Sequence, residues 1–201
     1  LTDYYLIALK PLFRNVYQDN GSAIDQLISG YAKYLFPKEH AEVYFEYGRN
    51  DRGATPINIL YDSVASGYVG GVRKLFLLPN SQKFGAISLN IEVVQLKMPQ
   101  SNLIWNKSLL AKQSSWYTNS QVRQGYTNQG QILGTYVGPG GSGQTIHLAW
   151  VKGYNKIGIG VERLSHNKDF YYYNYFNGLF SPGPNFKYWS DFTYTLYARL
   201  K

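Results

Sequence analysis

The sequence predicts an all-β chain: an antiparallel transmembrane β-barrel of the outer-membrane type, or part of one. Three observations predict it. Apolar and polar residues alternate over many separate stretches, the period of a strand with two chemically different sides. Ile87, Leu89, Ile91 and Val93 share one side of such a stretch, against Ser88, Asn90 and Glu92. Phe192, Tyr194, Leu196, Ala198 and Leu200 do the same against Thr193, Thr195, Tyr197 and Arg199. Second, aromatic residues make up 17% of the 201 residues, 20 of them Tyr. Tyrosine suits strands, and it suits membrane interfaces because one end of the ring is apolar and the other wet. Third, no run of about 18 apolar residues exists, which excludes a helical span. Barrel strands escape that test because only alternate residues meet lipid.

The elements follow in order. Tyr5 to Val16 is an apolar stretch that Pro11 assigns to an edge or a bend. Ile28, Gly30, Ala32, Tyr34 and Phe36 alternate with Ser29, Tyr31 and Lys33, and Pro37-Lys38-Glu39-His40 reads as a turn. Ala41, Val43, Phe45 and Tyr47, against Glu42, Tyr44 and Glu46, complete a hairpin, which the turn formers from Gly48 to Gly53 should end. After a looser segment, Gly67 to Leu78 predicts a strand, Pro79 to Lys83 a turn, and Phe84 to Leu96 the return strand. Lys97 to Gly143 then breaks the pattern with Asn, Gln, Ser and Gly; Ile132 to Val137 predicts a short strand within it. Loops of this length inside a compact domain are usually functional or disordered. Thr145 to Lys152, a turn at Gly153 to Lys156, and Ile157 to Leu164 form the next hairpin. Ser165 to Asp169 turns, Phe170 to Phe176 reads as an aromatic strand, and a loop at Gly178 to Pro184 precedes the last strand. About ten strands of transmembrane length would fit. The chain reads as a single β-barrel domain over 1–201, or the C-terminal part of one, with a long loop region at about 97–143.

Composition narrows the partners. The net charge of +8 comes from Lys and Arg scattered singly, with no RNA-binding signature. Loop and strand-end cations explain it better than nucleic acid, and no nucleic-acid partner is expected. Anionic partners such as lipopolysaccharide or an acidic polysaccharide fit the charge. With no cysteine, disulfides and thiolate metal sites are excluded. The chain opens at Leu1 without a signal-type segment, as expected for a processed or truncated chain.

Several constellations mimic chemistry. Gly138-Pro139-Gly140-Gly141-Ser142-Gly143-Gln144-Thr145 has phosphate-loop spacing, but Gln144 stands where the lysine belongs and a strand follows. His40, His147 and His166 lack metal-ligand spacing, so no metal or other cofactor is expected. Glu42, Glu46, Glu92 and Glu162 could hydrolyse glycosides if paired at the right separation. A polar network with Arg73, Arg163 and Arg199 inside a lumen is the favoured reading. The serines lack a nucleophile-elbow context. No catalytic residue is assigned, and no enzyme is expected. The best binding candidate is the long middle segment. Trp105, Trp116, Tyr117 and Tyr126 could stack on sugar rings, with Arg123, Asn128 and Gln129 as hydrogen-bonding partners. The competing reading is that these aromatics pack the loop onto the sheet.

Two ordered blocks resemble a known family. His40-Ala41-Glu42-Val43-Tyr44-Phe45-Glu46-Tyr47-Gly48-Arg49-Asn50-Asp51 is similar to a strand-and-turn motif of the capsule assembly Wzi family. Gln124 to Gly134, continuing through Gly138-Pro139-Gly140, resembles that family's glycine-rich segment. Glu162-Arg163 and His166-Asn167-Lys168-Asp169-Phe170-Tyr171-Tyr172 follow in the family's order. The resemblance runs from about Asp25 to the end and matches the later portion of a longer, eighteen-stranded barrel. It implies a non-enzymatic protein of the Gram-negative outer membrane, at the cell surface, blocked inside by its own residues. Such a protein attaches or organises capsular polysaccharide; other outer-membrane proteins are further candidate partners. The ending Tyr197-Ala198-Arg199-Leu200-Lys201 lacks the terminal aromatic usual in outer-membrane proteins, which again suggests truncation.

Two alternatives make different demands. A porin-like solute channel requires an open lumen. A soluble β-sandwich lectin or glycosidase requires Ile87, Leu89 and Ile91 to pack against a second sheet.

Overall fold

A computed structural model describes residues 27–50, 66–97, 115–118, 126–170 and 190–201. The stretches expected at Tyr5 to Val16 and 171–176, the segment 54–65, and Trp105 and Arg123 lie outside those residues.

Seven long strands form one antiparallel sheet: β1 (Leu27–Phe36), β2 (Ala41–Asn50), β3 (Ser66–Leu77), β4 (Ala86–Gln95), β7 (Ser142–Lys152), β8 (Asn155–Ser165) and β9 (Ser190–Arg199). Each pairs with the next in chain order, so the all-β antiparallel expectation holds. Two short strands, β5 (Thr127–Asn128) and β6 (Gln131–Ile132), make a separate hairpin, and one helical turn, α1 (Ser81–Phe84), caps the β3–β4 connection. Among the described residues the sheet is not closed; β1 and β9 are its edges.

The register turns the alternation of each strand into two continuous faces. Tyr34, Val43, Val72, Ile91, Ile146, Val161 and Tyr194 stand opposite one another across all seven strands. One residue along runs a second row: Lys33, Tyr44, Gly71, Glu92, Thr145, Glu162 and Thr193. Successive side chains of a strand point to opposite faces, so these rows are the two sides of one sheet. All seven members of the apolar row are exposed, from 37% for Ile91 to 77% for Tyr194. Among the described residues the only other sheet is the two-stranded β5–β6 pair. Ile87 and Leu89 share the face of exposed Ile91 and are themselves only half-buried. Among the described residues, the packing that a β-sandwich demands of them is therefore not found.

The sheet curls toward its polar face. Leu35 of β1 and Lys156 of β8 line the same recess, together with Glu42, Arg73 and Asn90. In a flat sheet strands that far apart in the order would lie about 24 Å from each other. The buried core is also on this concave side, at one end. Val94, Leu96, Trp116, Tyr117 and Val137 form it, with Leu27, Val69 and Leu164 against them.

The two ends differ. At one, β1–β2, β3–β4 and β7–β8 are joined by the short segments 37–40, 78–85 and 153–154. At the other, the connections are the long stretches 51–65, 96–141 and 166–189.

Three local expectations are corrected. β2 continues through Gly48 to Asn50, because Gly48 pairs with Gly67 and both glycines leave room for Trp116. The strand expected at Ile132 to Val137 is only Gln131–Ile132. Beyond it the chain turns, with the Thr135 N–H donated to the Tyr117 hydroxyl at 3.0 Å and Gly138 at φ 66. The turn expected at Gly153 to Lys156 shrinks to Gly153-Tyr154, since Asn155 already pairs with Lys152.

Candidate functional site

The segment around Trp116 and Tyr117 lies over the concave face at the long-connection end. Gly48 and Gly67 are opposite each other on that face, and a Cβ on either would sit 2.9 Å from the Trp116 ring. The indole fills the space that the two glycines leave. Tyr117 meets Trp116 edge-to-face at 5.7 Å and stacks on Tyr126 at 6.4 Å. Tyr117 holds φ 64, a left-handed backbone that a bulky residue adopts only when its surroundings impose it. Here burial, two aromatic neighbours and the Thr135 N–H impose it. Burial also pushes the Tyr117 phenol above its usual pKa, against the lowering influence of that N–H; nearby Glu46 adds to the rise.

The sequence candidates therefore separate. Trp116 and Tyr117, 6% and 7% exposed, anchor the segment to the sheet, the competing reading for the aromatics. Tyr126 keeps an exposed ring. Asn128 and Gln129 are exposed at the tip of the β5–β6 hairpin. Gln129 and Gly130 both take positive φ, 50° and 79°, the signature of a two-residue type I′ turn. Beneath them a recess of about 350 Å³ is lined by Leu27, Glu46, Trp116, Tyr117, Tyr126 and Thr135 among others. One aromatic ring, one carboxylate and the hairpin amides thus sit at the same end of the sheet.

The polar network forms on the concave face, though not with every expected member. Glu42 is bridged by Lys33 at 2.7 Å and Arg73 at 3.2 Å, and the Arg73 guanidinium lies 5.2 Å from the Tyr44 ring centre. Tyr44 donates its hydroxyl to Glu92 at 2.5 Å. Gly71 faces Tyr44 across the strand pair, and a Cβ there would collide with the phenol. Glu162 is hydrogen-bonded to Tyr136, which descends from the covering segment. Both carboxylates border a second recess, of about 340 Å³, with Asn90, Thr145 and His147. Glu46 shares the face and borders two recesses, one with Glu42, Tyr44, Arg73 and Glu92 and the other under Tyr126.

Arg163 and Arg199 depart from the expected network. Arg163 lies on the opposite, apolar face, because it follows Glu162 directly on β8. It donates to the Gln144 side-chain oxygen at 2.8 Å and reaches the Ser190 hydroxyl at 3.5 Å. Arg199 is on the concave face, but opposite Lys156 at the short-turn end, about 20 Å along β8 from Glu162. Gln144 is thus a strand residue engaged by Arg163, and the phosphate-loop mimic is a turn running into β7.

Tyr136 gives this arrangement a pH dependence. Burial first, then the charge and hydrogen bond of Glu162 and the charge of Glu92, push its phenol to about 12. A raised folded pKa means the contribution is complete below the unfolded value of about 10. It is lost as pH climbs through about 12. The Cζ resonance of ¹³C-labelled tyrosine that disappears in Tyr136→Phe should titrate near that pH. A midpoint at 10 would mean that the ring does not sit on Glu162.

The chain matches no family model, no curated protein and no solved structure, so its function has to be argued from the geometry of its own residues.

Proposed function

We propose that this sheet is a wall of a Gram-negative outer-membrane β-barrel that holds capsular or other surface polysaccharide non-catalytically. The observation that carries the membrane half is the exposed apolar row crossing all seven strands, backed by a polar row on the concave side. Strands of 10 to 12 residues, tilted as barrel strands are, cover the hydrocarbon thickness. Short turns at one end and long connections at the other repeat the asymmetry of outer-membrane barrels. Aromatic side chains flank the band: Tyr47 and Tyr68 at one end, Phe76, Trp150 and Tyr154 at the other. Lipopolysaccharide and phospholipid would be the molecules in contact with the apolar face.

The polysaccharide half rests on Tyr126, Asn128 and Gln129, exposed at the long-connection end beside the recess, and on the resemblance to the capsule assembly family. Carbohydrate rings stack on exposed aromatic faces, while amides hydrogen-bond their hydroxyls. A solute channel is the weaker reading, because Trp116, Tyr117 and Val137 fill the concave side at this end. The phenols on Glu92 and Glu162 also favour a structural role for those carboxylates over glycoside hydrolysis.

The test is capsule retention in a strain lacking the gene. Complementation by the intact gene should restore surface capsule. A Tyr126→Ala, Asn128→Ala, Gln129→Ala variant should reach the detergent-soluble outer-membrane fraction and retain little. Full retention by that variant would remove these residues from the sugar contact, and recovery of the intact protein without detergent would remove the barrel.

A further inference from the structure

We propose that the short-turn end of the apolar face docks on the headgroups of anionic phospholipids, a preference that rests on the membrane-wall reading above and deepens it. Each of the three short turns carries an exposed lysine in or beside it: Lys38 between β1 and β2, Lys83 on α1, and Lys152 at the end of β7. Neighbouring hairpins are two strands apart, so these cations repeat at intervals of about 10 Å along the rim. The one acid in or beside these turns among the described residues is Glu39, which is already paired with Lys74 at 3.5 Å.

The lysines are interleaved with exposed rings. Lys83 lies 5.4 Å from the Phe84 ring centre and Lys74 5.6 Å from that of Phe76. The Trp150 indole N–H donates to the Phe84 carbonyl at 2.7 Å, which ties β7 to the β3–β4 turn. A row of cations just outside a belt of rings fits a surface that is apolar below and anionic above. The opposite rim of the same face is chemically different. Its last register row to reach β9 is Tyr47, Tyr68, Gln95, Ser142, Ser165 and Ser190, without a charge; beyond it a shorter row of Ile28, Arg49 and Ser66 carries one cation, half-buried where the turn lysines are exposed. Arg163, one row further in than Ser165, is engaged by Gln144 and Ser190. The asymmetry selects the leaflet that the short turns enter as the one whose anionic phospholipid the protein holds.

The test uses the full chain in phosphatidylcholine vesicles carrying traces of spin-labelled phosphatidylglycerol or phosphatidylcholine. The fraction of each label motionally restricted by the protein gives their relative association constants. Phosphatidylglycerol should be favoured roughly threefold at low salt. The preference should vanish in Lys38→Gln, Lys83→Gln, Lys152→Gln and survive in the matching arginine variant, which also shows that the turns still fold. Equal association in the intact protein, or a preference that outlasts the glutamine changes, overturns the proposal while leaving the membrane wall standing. Restriction of neither label overturns both. Glycerol phosphate that abolishes the preference, where sodium chloride of equal ionic strength does not, assigns the lysines to small soluble anions and overturns the lipid surface.

Discussion

Ile146→Arg is expected to cost the folded sheet about 2–4 kcal/mol in a bilayer, the penalty for a strong cation near the midplane of a lipid-facing strand. Ile146 is 51% exposed at the middle of the apolar row, between Ile91 and Val161. Were this surface bathed in water, the change would replace an exposed apolar side chain by a solvated one. Such substitutions usually stay within about 0.5 kcal/mol. The two environments thus differ several-fold in the same measurement, reversible denaturant unfolding in phosphatidylcholine vesicles. Thr145→Arg is the internal control. It lies one residue away on the concave face, opposite Glu92 on one side and Glu162 on the other. A cation there gains two carboxylates rather than losing water to lipid, so a near-neutral effect is expected. A loss below 0.5 kcal/mol for Ile146→Arg would remove lipid from the apolar face.

The sequence made the strands legible because a period of two is a local property. The hairpins around Pro37 to His40 and Gly153-Tyr154 could be placed from their own residues, as could the polar side of Glu42, Glu46, Glu92 and Glu162. The same period also forbids Arg163 from joining Glu162 on one face. What was not legible is long-range. Whether Trp116 is an open stacking platform or a buried anchor depends on the gap at Gly48 and Gly67, far off in the chain and aligned only by the β2–β3 register. Gly48 on its own looks like a break in β2. Opposite Gly67 and beneath an indole it is the seat of the covering segment. Tyr44 and Gly71 repeat the arrangement, and there too the ring and its gap come from neighbouring strands.

Trp116→Ala should therefore release the covering segment while leaving the sheet in place. Truncating a buried tryptophan typically costs about 3–5 kcal/mol, and among the described residues this cluster has five buried members, of which Trp116 is the largest. The strands keep their register and their exposed apolar row, which lies on the face opposite Trp116. The loss appears as local opening rather than global unfolding. Protease cleavage within 126–141 should accelerate by about a hundredfold or more on that scale, with the strand signal in circular dichroism unchanged. Gly67→Val should reproduce the effect from the other side, because its side chain would enter the space of Leu96 and the indole. Trp116→Phe, which keeps a ring in the gap, should restore most of the protection. In the barrel reading the same release uncovers the concave side, so vesicles carrying Trp116→Ala should pass small solutes that the intact protein retains. If cleavage is unaltered in both disruptive variants, the segment is not seated by the Gly48–Gly67 gap, and the filled concave side that argues against a channel loses its support.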